Sequence, residues 1–131
     1  MKQGTDRQLD LVNLNDTALH LEEPWQNLRR LDVYDINDDK IGSAEDVYVD
    51  RGRREARLLD VSAGGLLRVG KKHFLVPVEE VKRDLDGERV TVEHLKDKVM
   101  ESPQFDPDDE LKSDLQRAVY AYYGRSFPGE T

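Results

Sequence analysis

Apolar and polar residues alternate from about residue 28 onward, and turn residues interrupt the alternation at short intervals. Leu31 and Val33 flank Asp32, Tyr34 follows, and Asn37, Asp38 and Asp39 form a turn cluster. Residues 41–49 resume a strand with Val47 and Val49 on one face, and Asp50, Arg51, Gly52 and Arg53 turn the chain. Residues 57–61 read as a third strand stopped by Gly64 and Gly65, residues 66–69 are brief, and Gly70 and Lys71 turn again. His73, Phe74, Leu75 and Val76 form a short apolar run like a strand buried on both sides, ended by Pro77. Asp86 and Gly87, between residues 82–85 and 89–92, are a hairpin signal. Short strands with a turn every ~8–12 residues predict a small barrel or sandwich. Closing the sheet would hide the edges of so many short strands. The residues expected to face inward are Val33, Val47, Val49, Leu59, Val61, Phe74, Val76 and Val90.

The flanks obey other rules. Residues 1–8 are polar and read as a frayed end. Residues 9–21 fit neither period well and predict an extended lead-in, with a short helix around residues 16–20 and Pro24 as punctuation. After Val92 the period becomes helical. Leu95 and Val99 make one short amphipathic stretch ended by Pro103. Asp106 then offers a cap, Pro107 suits a first helical position, and Asp108, Asp109 and Glu110 meet the positive end of the helix dipole. Leu111, Leu115, Ala118, Val119 and Tyr122 share one helical face, and Gly124 suits the C′ position. The chain thus divides into a lead-in at 1–27, a β-domain at 28–92 and a helical extension at 93–131. An apolar helix over about residues 107–123 would be marginal alone in water. It is expected to pack on its own barrel or on a second copy, giving a monomer or a weak homodimer.

Composition narrows the chemistry. The chain has 131 residues, 37% of them hydrophobic and 37% charged, with a net charge of −8 and no cysteine. Disulfides, thiol nucleophiles, zinc–thiolate sites and iron–sulfur clusters are thereby excluded. No signal-peptide pattern and no apolar run of membrane-spanning length is visible, so the cytoplasm is the expected location. The charge is uneven. Residues 1–27 carry two basic and five acidic groups, residues 28–92 thirteen and fourteen, and residues 93–131 five and nine. Acidic flanks disfavour general nucleic-acid binding, and DNA is not an expected partner.

Several motifs imitate known sites. Asp35, Asn37, Asp39 and Asp46 have calcium-loop spacing, but Lys40 stands where that loop needs Gly, and the flanks alternate like strands. A hairpin turn is the plainer reading. Gly65 to Lys71 imitates a phosphate-binding loop, but Lys72 replaces its Ser or Thr and a strand comes next in place of a helix. His20, His73 and His94 lack ligand spacing, and Ser43, Ser62, Ser102, Ser113 and Ser126 sit in no nucleophile elbow. No metal, no cofactor and no catalytic residue is expected. Two basic clusters remain, Arg51, Arg53 and Arg54 at one turn and Arg68, Lys71 and Lys72 at another. They are either a solvated surface or, if the turns meet, a docking patch for an acidic partner or RNA. Tyr120, Tyr122 and Tyr123 either pack the tail on the barrel or form a partner site.

The order of these pieces resembles the PRC-barrel family, named for the cytoplasmic domain of the photosynthetic reaction-centre H subunit. That family also includes the C-terminal domain of the ribosome-maturation factor RimM. The matching residues are Asp32-Val33-Tyr34-Asp35, Lys40-Ile41-Gly42, Glu45 through Asp50, Gly64-Gly65-Leu66-Leu67 with Val69-Gly70, Phe74 through Val78, and Asp86-Gly87 through Val90. The flanks resemble stand-alone bacterial members. The resemblance implies a mainly β fold, a small six-stranded barrel with an extended lead-in and a helical tail. It further implies a non-enzymatic interaction module that binds a protein partner, with stress responses as one setting. An RNA- or ribosome-associated maturation factor is the first alternative, and a small-ligand or metal-dependent enzyme the second.

Overall fold

The computed structural model describes residues 11–13, 28–64, 71–84 and 88–128. The helix expected near residues 16–20, the strand at 66–69, Arg68, His20 and the Asp86-Gly87 turn lie outside them. Among the described residues, eight strands form one sheet: β1 (Leu11–Asn13), β2 (Asp32–Tyr34), β3 (Lys40–Asp50), β4 (Glu55–Gly64), β5 (Lys71–Pro77), β6 (Val81–Asp84), β7 (Arg89–Val92) and β8 (Gln104–Phe105). Two helices come after β7 and β8 respectively, α1 (Lys96–Met100) and α2 (Ser113–Tyr122), and one 3₁₀ turn (Val78–Glu80) links β5 to β6.

The pairing path runs β6-β7-β2-β3-β4-β5-β8, with β1 beside β2 along β3. Six strands lie within residues 28–92 as expected, but the pairings do not close them into a six-stranded barrel. Residues 73–74 of β5 pair with β8, while three residues of 3₁₀ turn carry the chain straight from β5 into β6. The path therefore stays open between β6 and β8 among the described residues. Both ends still meet in one core, to which Val81 of β6 and Phe105 of β8 contribute.

All eight residues expected to face inward are at most 2% exposed. The register explains why. Val61 opposes Phe74 and Leu59 opposes Val76, so β4 and β5 turn one apolar row to the same side. The other side is covered too. Leu58 and Leu75 are fully buried, and α2 packs on β5 with Val119 and Tyr120 inside. This two-sided burial is why residues 73–76 of β5 show so little alternation.

Gly42 of β3 stands directly against the backbone of β4. A Cβ there would stand 1.8 Å from the Ser62 carbonyl oxygen, so only glycine fits.

The C-terminal helix begins later than the sequence suggests, at Ser113 and not Pro107. Asp106 does cap, but it caps a turn. Its Oδ1 accepts the Asp108 N–H at 2.9 Å and its carbonyl accepts the Asp109 N–H. Residues 106–110 contain no apolar side chain to bury, so nothing carries that turn into a helix. The buried face is also rotated. Gln116, Val119, Tyr120 and Tyr123 are buried, Leu115 and Tyr122 flank them, and Ala118 is exposed. Gly124 ends the helix at φ +72°, as its type predicts.

Candidate interaction surface

The β3–β4 hairpin carries Arg51, Arg53 and Arg54 at its tip, all exposed. Asp50 builds the turn. Its Oδ1 accepts the Gly52 N–H at 3.0 Å and its carbonyl accepts the Arg54 N–H at 2.7 Å. Arg54 takes φ +57° in consequence. Asp50 is only 4% exposed, and its Oδ2 lies 4.0 Å from Arg57 Nη2. Glu55 is held by Arg57, whose Nη2 lies 2.6 Å from Glu55 Oε1. The tip thus presents a compact group of guanidinium cations on a chain of net charge −8.

Lys71 and Lys72 do not join that group. Lys72 opposes Ala63 and Lys71 opposes Gly64, at the far end of β4 from the tip. About 26 Å of strand separates Glu55 from Ala63 at ordinary strand rise. Lys71 lies 3.8 Å from Glu45. Lys71 and Lys72 therefore share no patch with the tip arginines, because they stand at the opposite end of β4.

The tyrosines turn inward. Tyr120 is 1% exposed, its hydroxyl donates to the Arg57 carbonyl at 3.1 Å, and its ring meets Phe127 edge-on. Tyr123 is buried against His94 and Tyr122. Tyr122 is half-buried and donates its hydroxyl to the Lys98 carbonyl at 2.6 Å. Burial pushes all three phenols above the usual tyrosine range. The helix face is thus used for packing in cis, and Tyr120 and Tyr123 offer no surface to a partner.

Of three polar arrangements, sequence reasoning anticipates the turn at Asp35 and misses the other two. Asp35 is buried: its Oδ1 accepts the N–H groups of Asn37 and Asp39, and its Oδ2 accepts that of Lys96 at 2.8 Å. Burial opposes its charge, but these bonds prevail and hold its carboxyl below the usual range. The calcium-like spacing is thereby accounted for by a turn. Glu80 bridges the tail to the sheet, accepting from His94 Nε2 through Oε1 and from Arg125 Nε through Oε2. A cleft of about 530 Å³ opens beside it, lined by Glu79, Glu80, Tyr123, Gly124, Arg125 and Ser126. On the outer face of β4 and β5, His73 Nδ1 lies 2.8 Å from Asp60 Oδ1, and Ser62 donates to Glu45 Oε2 at 2.7 Å. The only signal for this seam is a pair of polar residues at alternate positions of β4, Asp60 and Ser62.

Among the described residues, no three His, Asp or Glu side chains are grouped to hold a metal. None of the described helices is long and apolar enough to cross a membrane.

An open sheet built on the long β3–β4 hairpin, with a covering C-terminal helix, is the frame of a small β-barrel domain. The PRC-barrel domain model matches residues 22–99, more than half of the chain, and the chain belongs to that family. No curated protein sequence matches it.

Proposed function

We propose that this protein is a non-catalytic interaction module that docks an acidic protein segment on the β3–β4 hairpin tip. The observation that carries this reading is the tip itself. Three exposed arginines stand on a turn whose own aspartate, Asp50, is buried. On an acidic chain such a group concentrates positive potential at one end and selects partners by charge. The inward Tyr120 and Tyr123 leave the tip as the stronger candidate of the two. The family assignment supports a small binding domain and does not name the partner.

The test is binding of a fluorescent poly-glutamate peptide and of a mixed-sequence single-stranded RNA to the full chain at two salt concentrations. Peptide binding that the triple variant Arg51→Glu, Arg53→Glu, Arg54→Glu abolishes supports the reading. RNA binding lost in the same variant, with no peptide binding, replaces it with the RNA-associated alternative. Binding of neither, or binding the variant retains, rules out the tip as the docking surface.

A further inference from the structure

We infer that the Asp60–His73 pair is a proton-controlled latch that fastens the strap containing β8 to the outer face of the sheet. The strap is the segment between α1 and α2. Its regular attachment to the sheet is β8, only two residues long, and the residue facing Phe105 in that pairing is His73 itself. So short a strand contributes little alone, and its retention depends on what lies beneath it.

One strand beyond β5, on β4, lies a buried acid. Residues directly opposite in antiparallel strands share a face, so Ser62, His73 and Phe105 lie on one side, with Asp60 and Leu75 beside them. Phe105 is 5% exposed, and its ring meets Tyr48 of β3 edge-on at 5.6 Å, a contact that reaches over that face. Asp60 is 2% exposed, and its partner is His73 Nδ1.

The charged surroundings do not favour an anion there. From β3 come Glu45 and Asp46, both acidic, with Glu45 already accepting from Ser62 and lying near Lys71. Tyr48 on β3 offers a phenol ring to Phe105, and the strand β8 adds Gln104 and Phe105, neither of which titrates. Among groups of the 3₁₀ turn and α2, Glu80 is held by His94 and Arg125, and Tyr120 by the Arg57 carbonyl. Burial, aided by Glu45 and Asp46 and only partly offset by His73, pushes the Asp60 carboxyl up to about 6.

Linkage gives the direction. A carboxyl that holds its proton more tightly when buried than when exposed takes up a proton as the strap closes and releases it as the strap opens. Closure is complete below the ordinary aspartate range and weakens as pH rises through about 6. With an exposed value near 3.8, the open-to-closed ratio of the strap should rise about tenfold between pH 5 and pH 7.5.

The test is amide hydrogen exchange on the full chain, resolved by NMR and corrected for intrinsic rates. Residues 73–74 and 104–105 are compared with Val47 and Leu59 in the sheet centre. The expected result is a roughly tenfold loss of protection at the strap between pH 5 and pH 7.5, flat behaviour at the centre, and no pH effect in Asp60→Asn. Equal loss at strap and centre overturns the latch, because the proton would then govern the whole fold. A pH effect retained in Asp60→Asn overturns it as well. Should Asp60→Asn fail to fold, reciprocity supplies a second measurement. Phe105→Ala should loosen the strap and lower the NMR titration midpoint of the Asp60 carboxyl. An unchanged midpoint, or a wild-type midpoint at the ordinary aspartate value, rejects the proposal.

Discussion

Tyr120, on the C-terminal helix, donates its hydroxyl to the main-chain carbonyl of Arg57, 63 residues earlier on β4. One bond thus ties the extension to the middle of the sheet, and the ring that carries it is fully buried. Tyr120→Phe should lower stability by about 1 kcal/mol, leaving a carbonyl without its partner. Tyr120→Ala should cost on the order of 3–5 kcal/mol by opening a cavity. Chemical denaturation measures both. If the two variants are equally mild, the helix is not packed in cis.

Gly42→Ala should be among the most damaging small substitutions in the chain. The added methyl meets the Ser62 backbone, which cannot swing aside as a side chain would. The expected loss is about 3 kcal/mol, the upper end for overpacking. A thermal melt that matches the parent would show that β3 and β4 separate there at no cost.

Arg54→Gly should stabilise the protein by about 0.5–1 kcal/mol. Arg54 has a left-handed backbone at φ +57°, a conformation that glycine adopts freely. Because the side chain is exposed, denaturant midpoints will report the backbone term almost alone. A lower midpoint would mean that the guanidinium makes a structural contact.

Glu80 sets the acid limit of the tail's attachment. Burial alone would raise its carboxyl, but the bonds from Arg125 and His94 outweigh it and hold the group below the usual range. A lowered value means that Glu80 stabilises the fold above about pH 4.5 and that this contribution is lost as pH falls further. Between pH 5 and pH 3, Glu80→Gln should therefore lose less stability than the parent chain. Parallel stability curves would show that the bridge contributes nothing.

The strands are readable because turn chemistry and period agree. Asp50-Arg51-Gly52 announces a hairpin, and Val61 and Phe74 fall on the inner face by simple alternation. The separation of Lys71 and Lys72 from the tip arginines is readable as well, since residues before and after one strand must lie at its opposite ends. The Asp60–His73 seam is not. The contact is diagonal, with Ser62 opposing His73 and Asp60 opposing Leu75, so it depends on the β4–β5 register, while bulges between Ala44 and Asp46 and between Tyr48 and Val49 of β3 decide where Glu45 falls. The helix start misleads because an Asp-Pro cap serves a turn as well as a helix. The residues after the cap decide between them, and here Asp108, Asp109 and Glu110 offer no apolar face to bury.

The parallel pairing of β2 with β7 sets the order in which this chain can fold. Val33 meets Val90, 57 positions apart, while β3–β4 and β6–β7 join neighbours in sequence. Closing the longer loop has the greater entropic cost and is rewarded only once both partners are placed. The β2–β3, β3–β4 and β6–β7 hairpins can therefore form on their own account, and only the seam between β2 and β7 must wait. During synthesis the β2–β7 seam cannot close until residue 92 has left the ribosome, and the core that also takes in Phe105, Val119 and Tyr120 is completed later still.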